Sequence, residues 1–339
     1  MRLSLGTMQF GGELSKFKSF EILNHYLSLG CLKFDTAQMY PVPSAKDKFY
    51  LTEKILGEWI NSLSKKEKTK IQISTKFPNF SKKLNYLRKD NDLIISYNEL
   101  KKSLLGSLKR LNLESIETFF IHWPSRAINN FGKSFYQPNG NEDKVLESLE
   151  ETYSNLFLLA NEGLCKSIGI SNESTIGLHC LSKIGELNNE VPLYIQNSYN
   201  LLNPTVDINI SEFCMATNIN LQAHSPLAFG VLSGKYSNNA LPKDSRRFLY
   251  PNYFDRYYKS SSKRLVSSLC KVCEDFNLDL VELSYRYLLN NPSVSEIIIG
   301  GKNIPQIDKA LESVAKGKLS NQIYDEVFQV LSNFSIAAW

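Results

Sequence analysis

The chain has 339 residues, 42% hydrophobic and 22% charged, an ordinary composition for a globular protein with a full core. Its 39 Lys and Arg against 34 Asp and Glu leave a net charge of only +5, and no dense basic run is interleaved with aromatics, so a nucleic-acid partner is disfavoured. No run of roughly 18 apolar residues exists to span a membrane, no signal-peptide apolar region opens the chain, and the six cysteines are too irregularly spaced for a disulfide framework, so a cytoplasmic protein is expected.

Leu3 to Met8 alternates as a first strand, closed by Gly11 and Gly12. Phe17 to Gly30 carries Phe20, Leu23, Tyr26 and Leu27 at helical spacing and ends on a glycine stop. A short strand at Cys31 to Phe34 runs into Asp35-Thr-Ala-Gln-Met-Tyr40, followed by a loop through Pro41 and Pro43 and a helix from about Leu51 to Leu63. Ile71 to Lys76 alternates as the third strand, and a helix from about Ile94 to Leu111 leads to the fourth, Thr118 to His122. A long segment from Pro124 to Asn141 then precedes a helix over Lys144 to Asn161.

The second half repeats the rhythm. Strands fall at Ser167 to Ile170, Pro192 to Asn197, Asn220 to His224 and Glu296 to Ile299. Helices follow to about Leu187, near Val206 to Thr217, at Lys263 to Phe276 and Val281 to Asn290, near Pro305 to Val314 and near Asn321 to Leu331. Cys270 and Cys273 lie three apart in one of these helices without a second pair, and read as helix cysteines rather than zinc ligands. The segment from Ser225 to about Asn252 is long and irregular. A length prior of about 150 residues per domain would allow two domains. Eight strand-then-helix units with no dividing linker predict instead one α/β domain over residues 1–339, a closed (β/α)8 TIM barrel with its chemistry at the C-terminal strand ends.

Four residues at those ends make a chemical group. If the second, third and fourth strands lie side by side, Asp35 pairs with Lys76, the ammonium lowers the pKa of the Tyr40 phenol from about 10, and His122 orients whatever accepts the phenolic hydrogen bond. That is a proton donor for a carbonyl oxygen. Each residue also has a plainer alternative: Tyr40 as a loop tyrosine covering the barrel mouth, Lys76 as a surface lysine, Asp35 as a helix cap, and His122 as a satisfied core histidine. Trp123, just beyond, shapes a pocket, and Tyr40, Trp123 and Phe131 suggest an apolar wall for a small-molecule carbonyl substrate.

The order Asp, Tyr, Lys, His on strand ends resembles the catalytic tetrad of the aldo-keto reductases. The likeness extends from Gly6-Thr-Met-Gln-Phe-Gly11 to the final helices. Met39-Tyr-Pro-Val-Pro43 and His122-Trp-Pro-Ser-Arg126, followed by Phe131-Gly132-Lys133, are most similar to the bacterial Tas-type branch. The resemblance implies a hydride carrier. No G-x-G-x-x-G follows the first strand, so a Rossmann mode is excluded, and the family instead lays an extended nicotinamide dinucleotide across the barrel mouth.

On that resemblance Gly6 and Thr7 border the cofactor, and Ser171, Asn172 and Gln196 hold the carboxamide. His224 takes the stacking position on the nicotinamide ring. Ser225, Leu227, Gly230 and Lys235 form the pyrophosphate loop, Arg246 lies near the adenosine end, and Gly300, Lys302, Asn303 and Gln306 open the last barrel helix. The plainer alternatives are ordinary turn and cap residues at Ser171, Asn172 and Gln196, and mere chain geometry at the glycine-rich helix start. A lysine at a helix N-terminus suits a 2′-phosphate, favouring NADPH over NADH.

Three features depart from the family pattern. The chain starts at about strand one, so the usual N-terminal bottom hairpin is expected to be missing, with Leu3 and Leu5 covering the bottom. His224 replaces an aromatic ring and, if protonated, would repel an oxidised nicotinamide. Of the adenine-contacting positions, Gln306 is retained while Lys309 and Ala310 lose an amide contact. These departures keep a second possibility open, a redox-sensing or regulatory protein that binds NADPH with little turnover. A metal-dependent hydrolase finds no His-x-His pair or acidic cluster in support. Composition gives neither the carbonyl substrate nor the oligomeric state.

Overall fold

Strand and helix alternate as the two periodicities require in the computed structural model, which describes residues 3–334 apart from 90, 130, 131, 133, 134, 139, 188, 189, 237–239 and 254. In chain order these are β1 (Leu3–Gly6), α1 (Lys16–Ser28), β2 (Lys33–Asp35), α2 (Leu51–Ser62), α3 (Lys65–Lys68), β3 (Gln72–Phe77), α4 (Tyr97–Leu111) and β4 (Ile116–Ile121). Then come α5 (Val145–Asn161), β5 (Cys165–Ser171), α6 (Thr175–Glu186), β6 (Leu193–Ser198), α7 (Thr205–Asn209), α8 (Ser211–Thr217) and β7 (Asn220–His224). The chain continues through α9 (Arg246–Leu249), α10 (Ser260–Asp275), α11 (Leu280–Asn290), β8 (Val294–Ile299), α12 (Ile304–Ala315) and α13 (Asn321–Ser332). All eight strands are parallel and close in sequence order, β8 pairing back onto β1, which is the expected barrel.

Local capping explains two differences from the sequence expectation. The helix expected from Ile94 starts at Tyr97, because Ser96 adopts extended geometry and accepts the Glu99 amide. The short α3 was not anticipated; Ser64 and Glu67 form a reciprocal capping box there. The single helix expected over Val206 to Thr217 is two, broken at Ile210.

One face of every strand packs outward. Phe34 of β2 lies 5.6 Å from the Tyr26 ring of α1 and 5.0 Å from the Trp59 ring of α2, centroid to centroid. Full burial of such side chains contributes about 1.5–3 kcal/mol each. Leu3 and Leu5 share that outward face, because Leu5 pairs with Phe34 and Gly6 with Asp35. They therefore do not cover the barrel bottom. No strand precedes β1 among the described residues.

The inward face is polar. Alternation turns Lys33, Asp35, Lys76, Phe120, Gly169, Gln196, Gln222 and Glu296 into the barrel. A Cβ on Gly169 would meet the Phe120 ring at 2.3 Å, so the glycine makes room for that ring. The polar groups form a file along the axis. Lys33 donates to Glu296 at 2.5 Å, Gln222 Nε2 to Glu296 at 3.3 Å, and Gln196 Nε2 to both Gln222 Oε1 at 3.0 Å and Asp35 at 2.9 Å. Lys76 closes it at the top on Asp35. Among the described residues no helix is long and apolar enough to cross a membrane.

Candidate active site

β2, β3 and β4 are neighbours, so Asp35, Lys76 and His122 rise from adjacent C-terminal ends, and Tyr40 arrives from the loop after β2. The Lys76 ammonium is wholly buried and donates to both Asp35 oxygens at 2.7 and 2.6 Å and to the Thr36 carbonyl at 2.8 Å. All three ammonium hydrogens are thus used. Burial pulls the Lys76 pKa below its usual value, against the opposing charge of Asp35. The ammonium lies 5.5 Å from the centre of the Tyr40 ring.

Tyr40 is 9% exposed. Its phenol is pushed well above 10 by burial, and further by the charge of Asp35, with Arg246 opposing. The expected lowering by Lys76 is absent, since the ammonium is spent on Asp35 and the carboxylate faces the phenol as well. His122, 8% exposed, stands edge-on to Tyr40 with centroids 5.8 Å apart. Its pKa falls well below 6.5, mainly through burial and then through the charges of Lys76 and His224. Its buried Nδ1 has no hydrogen-bond partner among the described residues. Trp123 packs 4.9 Å from the His122 ring and donates its indole N–H to the Phe80 carbonyl at 3.1 Å, which fixes it beside the rim. Phe131 lies outside the described residues.

The residues expected to hold a carboxamide gather at the adjoining ends of β5 and β6, next to His122. Asn172, at φ 56°, donates to the His122 carbonyl at 2.9 Å and to Ser171 Oγ at 3.1 Å, while Ser171 donates to the Gln196 carbonyl at 2.8 Å. The Gln196 amide N–H groups are committed to Asp35 and Gln222, which leaves its Oε1 as an acceptor. The His224 ring is linked to Asn172 Oδ1 at 3.2 Å and to Ser225 Oγ at 3.0 Å. Burial, then the charges of Lys76 and Arg256, push its pKa down to about 3. It is therefore neutral at ordinary pH, and the anticipated repulsion of an oxidised ring does not arise.

Beyond β7 the backbone turns left-handed at Ser225, Ala228, Phe229 and Gly230. Leu227 anchors this turn, its carbonyl accepting from the Gly230 and Leu232 amides. A Cβ on Gly230, at φ +96°, would sit 2.8 Å from Lys235 Nζ, so only glycine lets the ammonium lie against the turn. Burial lowers the Lys235 pKa, and the charges of Arg246 and Lys302 add to this. Arg246 opens α9, Asn303 caps α12 by accepting the Gln306 amide, and Gln306 Oε1 accepts the Lys302 amide at 2.8 Å. A Cβ on Gly300 would meet nothing within 4 Å. Three cations beside an open glycine turn suit phosphate oxygens, and the Gln196 Oε1 left as an acceptor suits an amide N–H, with Ser171 and Asn172 holding the rim around it. These residues fit a nicotinamide dinucleotide.

Several expected residues do other work. Thr7 is fully buried and gives its hydroxyl to the Asp35 carbonyl at 2.9 Å, so it braces a strand end rather than opening to a ligand. Gly6 is paired with Asp35, and a Cβ there would strike Ile298 at 2.9 Å. Ala310 is buried in the core and Lys309 is ion-paired with Asp279, so neither stands in for the missing amide contact. The sequence reading missed Glu13, which pairs with Arg246 and Lys302. A lone acid in a turn carries no signal that separates it from a solvated one. A cavity of about 640 Å³ lies beside Asn172, lined by Arg126 and Tyr136 from the segment after β4 and by Arg256 and Tyr257 from that after β7.

The sequence matches the aldo/keto reductase family over residues 2–331. It is 30% identical over 331 residues to the protein tas of Escherichia coli (strain K12), covering 96% of this chain and 92% of that protein. An aldo-keto reductase of Babesia bovis is 30% identical over 250 residues, covering 70% of this chain and 87% of its own. A probable voltage-gated potassium channel subunit beta of Arabidopsis thaliana is 26% identical over 341 residues, with 98% and 93% covered.

Proposed function

The chain belongs to the aldo/keto reductase family, and from that premise we propose that it reduces an aldehyde or ketone to an alcohol with NADPH. The observation that carries this reading is Tyr40 and His122 standing edge-on at one rim above the fully bonded Lys76–Asp35 pair. When bound, the nicotinamide supplies the hydride.

Tyr40 is the general acid. Burial and Asp35 keep its phenol protonated across ordinary pH, so the proton is held until an acceptor with rising basicity arrives, as the oxygen of a carbonyl gaining hydride does. The Lys76 ammonium, 5.5 Å from the centre of the Tyr40 ring, is held by Asp35 and packs against that ring without acidifying the phenol. His122 is neutral, and a buried lone pair without a partner costs less than a buried N–H without one, which assigns the ring proton to Nε2. Nε2–H then donates to the same carbonyl oxygen and holds it in line with the phenol. Ser171, Asn172 and Gln196 would hold the carboxamide, and the neutral His224 ring would lie against the nicotinamide. Lys235, Arg246 and Lys302 would neutralise the phosphates.

Removing the hydroxyl (Tyr40→Phe) should lower turnover roughly 100- to 10,000-fold with NADPH binding retained. Consumption of NADPH absorbance with a panel of aldehydes measures it, and wild-type rates in the variant would end the proton-donor assignment. The similarity to a channel beta subunit supports a second reading, an NADPH-binding regulator with little turnover. Tight NADPH binding with no reductase activity across the panel would select it. In either case the substrate is a small molecule or none, and the chain is read as a single domain in the cytoplasm.

A further inference from the structure

The turn between β1 and α1 puts one acidic side chain among the cations at the adenosine end, and nothing in the mechanism above uses it. Glu13 is 4% exposed at its side chain; its Oε1 lies 3.3 Å from Arg246 Nε and its Oε2 pairs with Lys302 Nζ. Gln9 Nε2 donates to Oε2 at 3.2 Å. Lys302 is held further by the Asp244 carbonyl at 2.6 Å. Arg246 and Lys302 both act electrostatically on Lys235, with the Asp244 carboxylate acting in the opposite sense, so the three cations form one cluster in which Glu13 is the carboxylate paired directly with two of them.

We propose that Glu13 is the internal counter-ion of this cluster, which a phosphate reaching Arg246 and Lys302 must displace, and that it thereby sets the preference between phosphorylated and unphosphorylated dinucleotides. The proposal rests on the reading of this rim as a dinucleotide site. A carboxylate and a phosphate cannot share two partly buried cations without repelling one another, because little water remains to screen them. A ribose without the phosphate offers hydroxyl donors instead, and a carboxylate is a good acceptor for them. Glu13 therefore penalises the 2′-phosphate and favours the bare ribose, against the contrary pull of Arg246 and Lys302. The preference for NADPH is smaller than the two cations alone would give.

Isosteric replacement removes the charge and keeps the shape. In Glu13→Gln the Kd for NADPH, read by quenching of intrinsic fluorescence without any substrate, should fall at least tenfold, while that for NADH stays the same or rises. Glu13→Asp keeps the charge and should retain the wild-type ratio. Equal weakening of both dinucleotides in Glu13→Gln, or a ratio that shifts as much in the aspartate variant, would make Glu13 a brace for the cations and overturn the proposal. If wild-type protein binds neither dinucleotide, the dinucleotide reading itself fails. Calorimetric titration of 2′-AMP and of inorganic pyrophosphate into the same proteins then decides the counter-ion role: tighter anion binding in Glu13→Gln supports it, and unchanged binding rejects it.

Discussion

His224 would titrate near 6.5 in an unfolded chain and is pushed down to about 3 in the folded one by burial and by the charges of Lys76 and Arg256. Between those values the unfolded chain binds a proton that the folded chain refuses, so acid favours unfolding. This contribution is complete above pH 6.5 and is lost as pH falls, at a slope approaching about 1.4 kcal/mol per pH unit. His122 is shifted the same way and adds to the slope. Urea unfolding between pH 7.5 and 4.5 should show it, and His224→Gln should flatten the dependence by about one proton; an unchanged slope would assign it to other groups. The identities of Asp35, Tyr40, Lys76 and His122 were legible because strand ends in a barrel converge whatever lies between them. Their protonation was not. The expected acidification of Tyr40 counted the ammonium and overlooked that Asp35 consumes it, and the worry over His224 ignored two cations from distant segments.

At the scale of elements, α2 and α4 touch through Gly57, where an added Cβ would fall 1.9 Å from the Arg110 carbonyl oxygen and 3.2 Å from Leu111 Cα. Alanine is the better helix former by about 1 kcal/mol. Backbone cannot step aside as a side chain can, so Gly57→Ala should still destabilise by about 1–3 kcal/mol. Gly106 in α4 is the contrast: its Cβ would meet only the end of the flexible Arg110 side chain, at 3.1 Å, so Gly106→Ala should be neutral or stabilise by up to about 1 kcal/mol. Denaturant midpoints of the two variants test both signs, and equal shifts would discount the close helix approach. Element order was readable from periodicity alone, while ends were set by caps such as Ser96 that a hydrophobic pattern does not weigh. Nor does periodicity reveal which glycine lies under a neighbouring helix.

The whole barrel is built round the file of polar groups from Lys33 through Glu296, Gln222 and Gln196 to Asp35 and Lys76. Burial raises the Glu296 pKa, against the attraction of Lys33. Neutralising this carboxylate while keeping its acceptor should therefore cost little, and Glu296→Gln should stay within about 1 kcal/mol of wild type. Glu296→Leu strands the Gln222 amide and should cost about 1–3 kcal/mol. Urea unfolding free energies decide the matter, and equal effects of the two substitutions would break the proposed role of the acceptor. The closed sheet was expected from the count of strand and helix units, but the file was not. Gln196, Gln222 and Glu296 sit on three strands with no local signal in common, and only closure aligns them.

The file has a further consequence, for heredity. Each amide takes its orientation from the carboxylate at its end, so positions 33, 222 and 296 are not free to drift alone. A descendant chain that exchanges Glu296 for an apolar residue inherits a stranded amide and an unanswered ammonium, and the changes that survive are those in which the three sites turn over together.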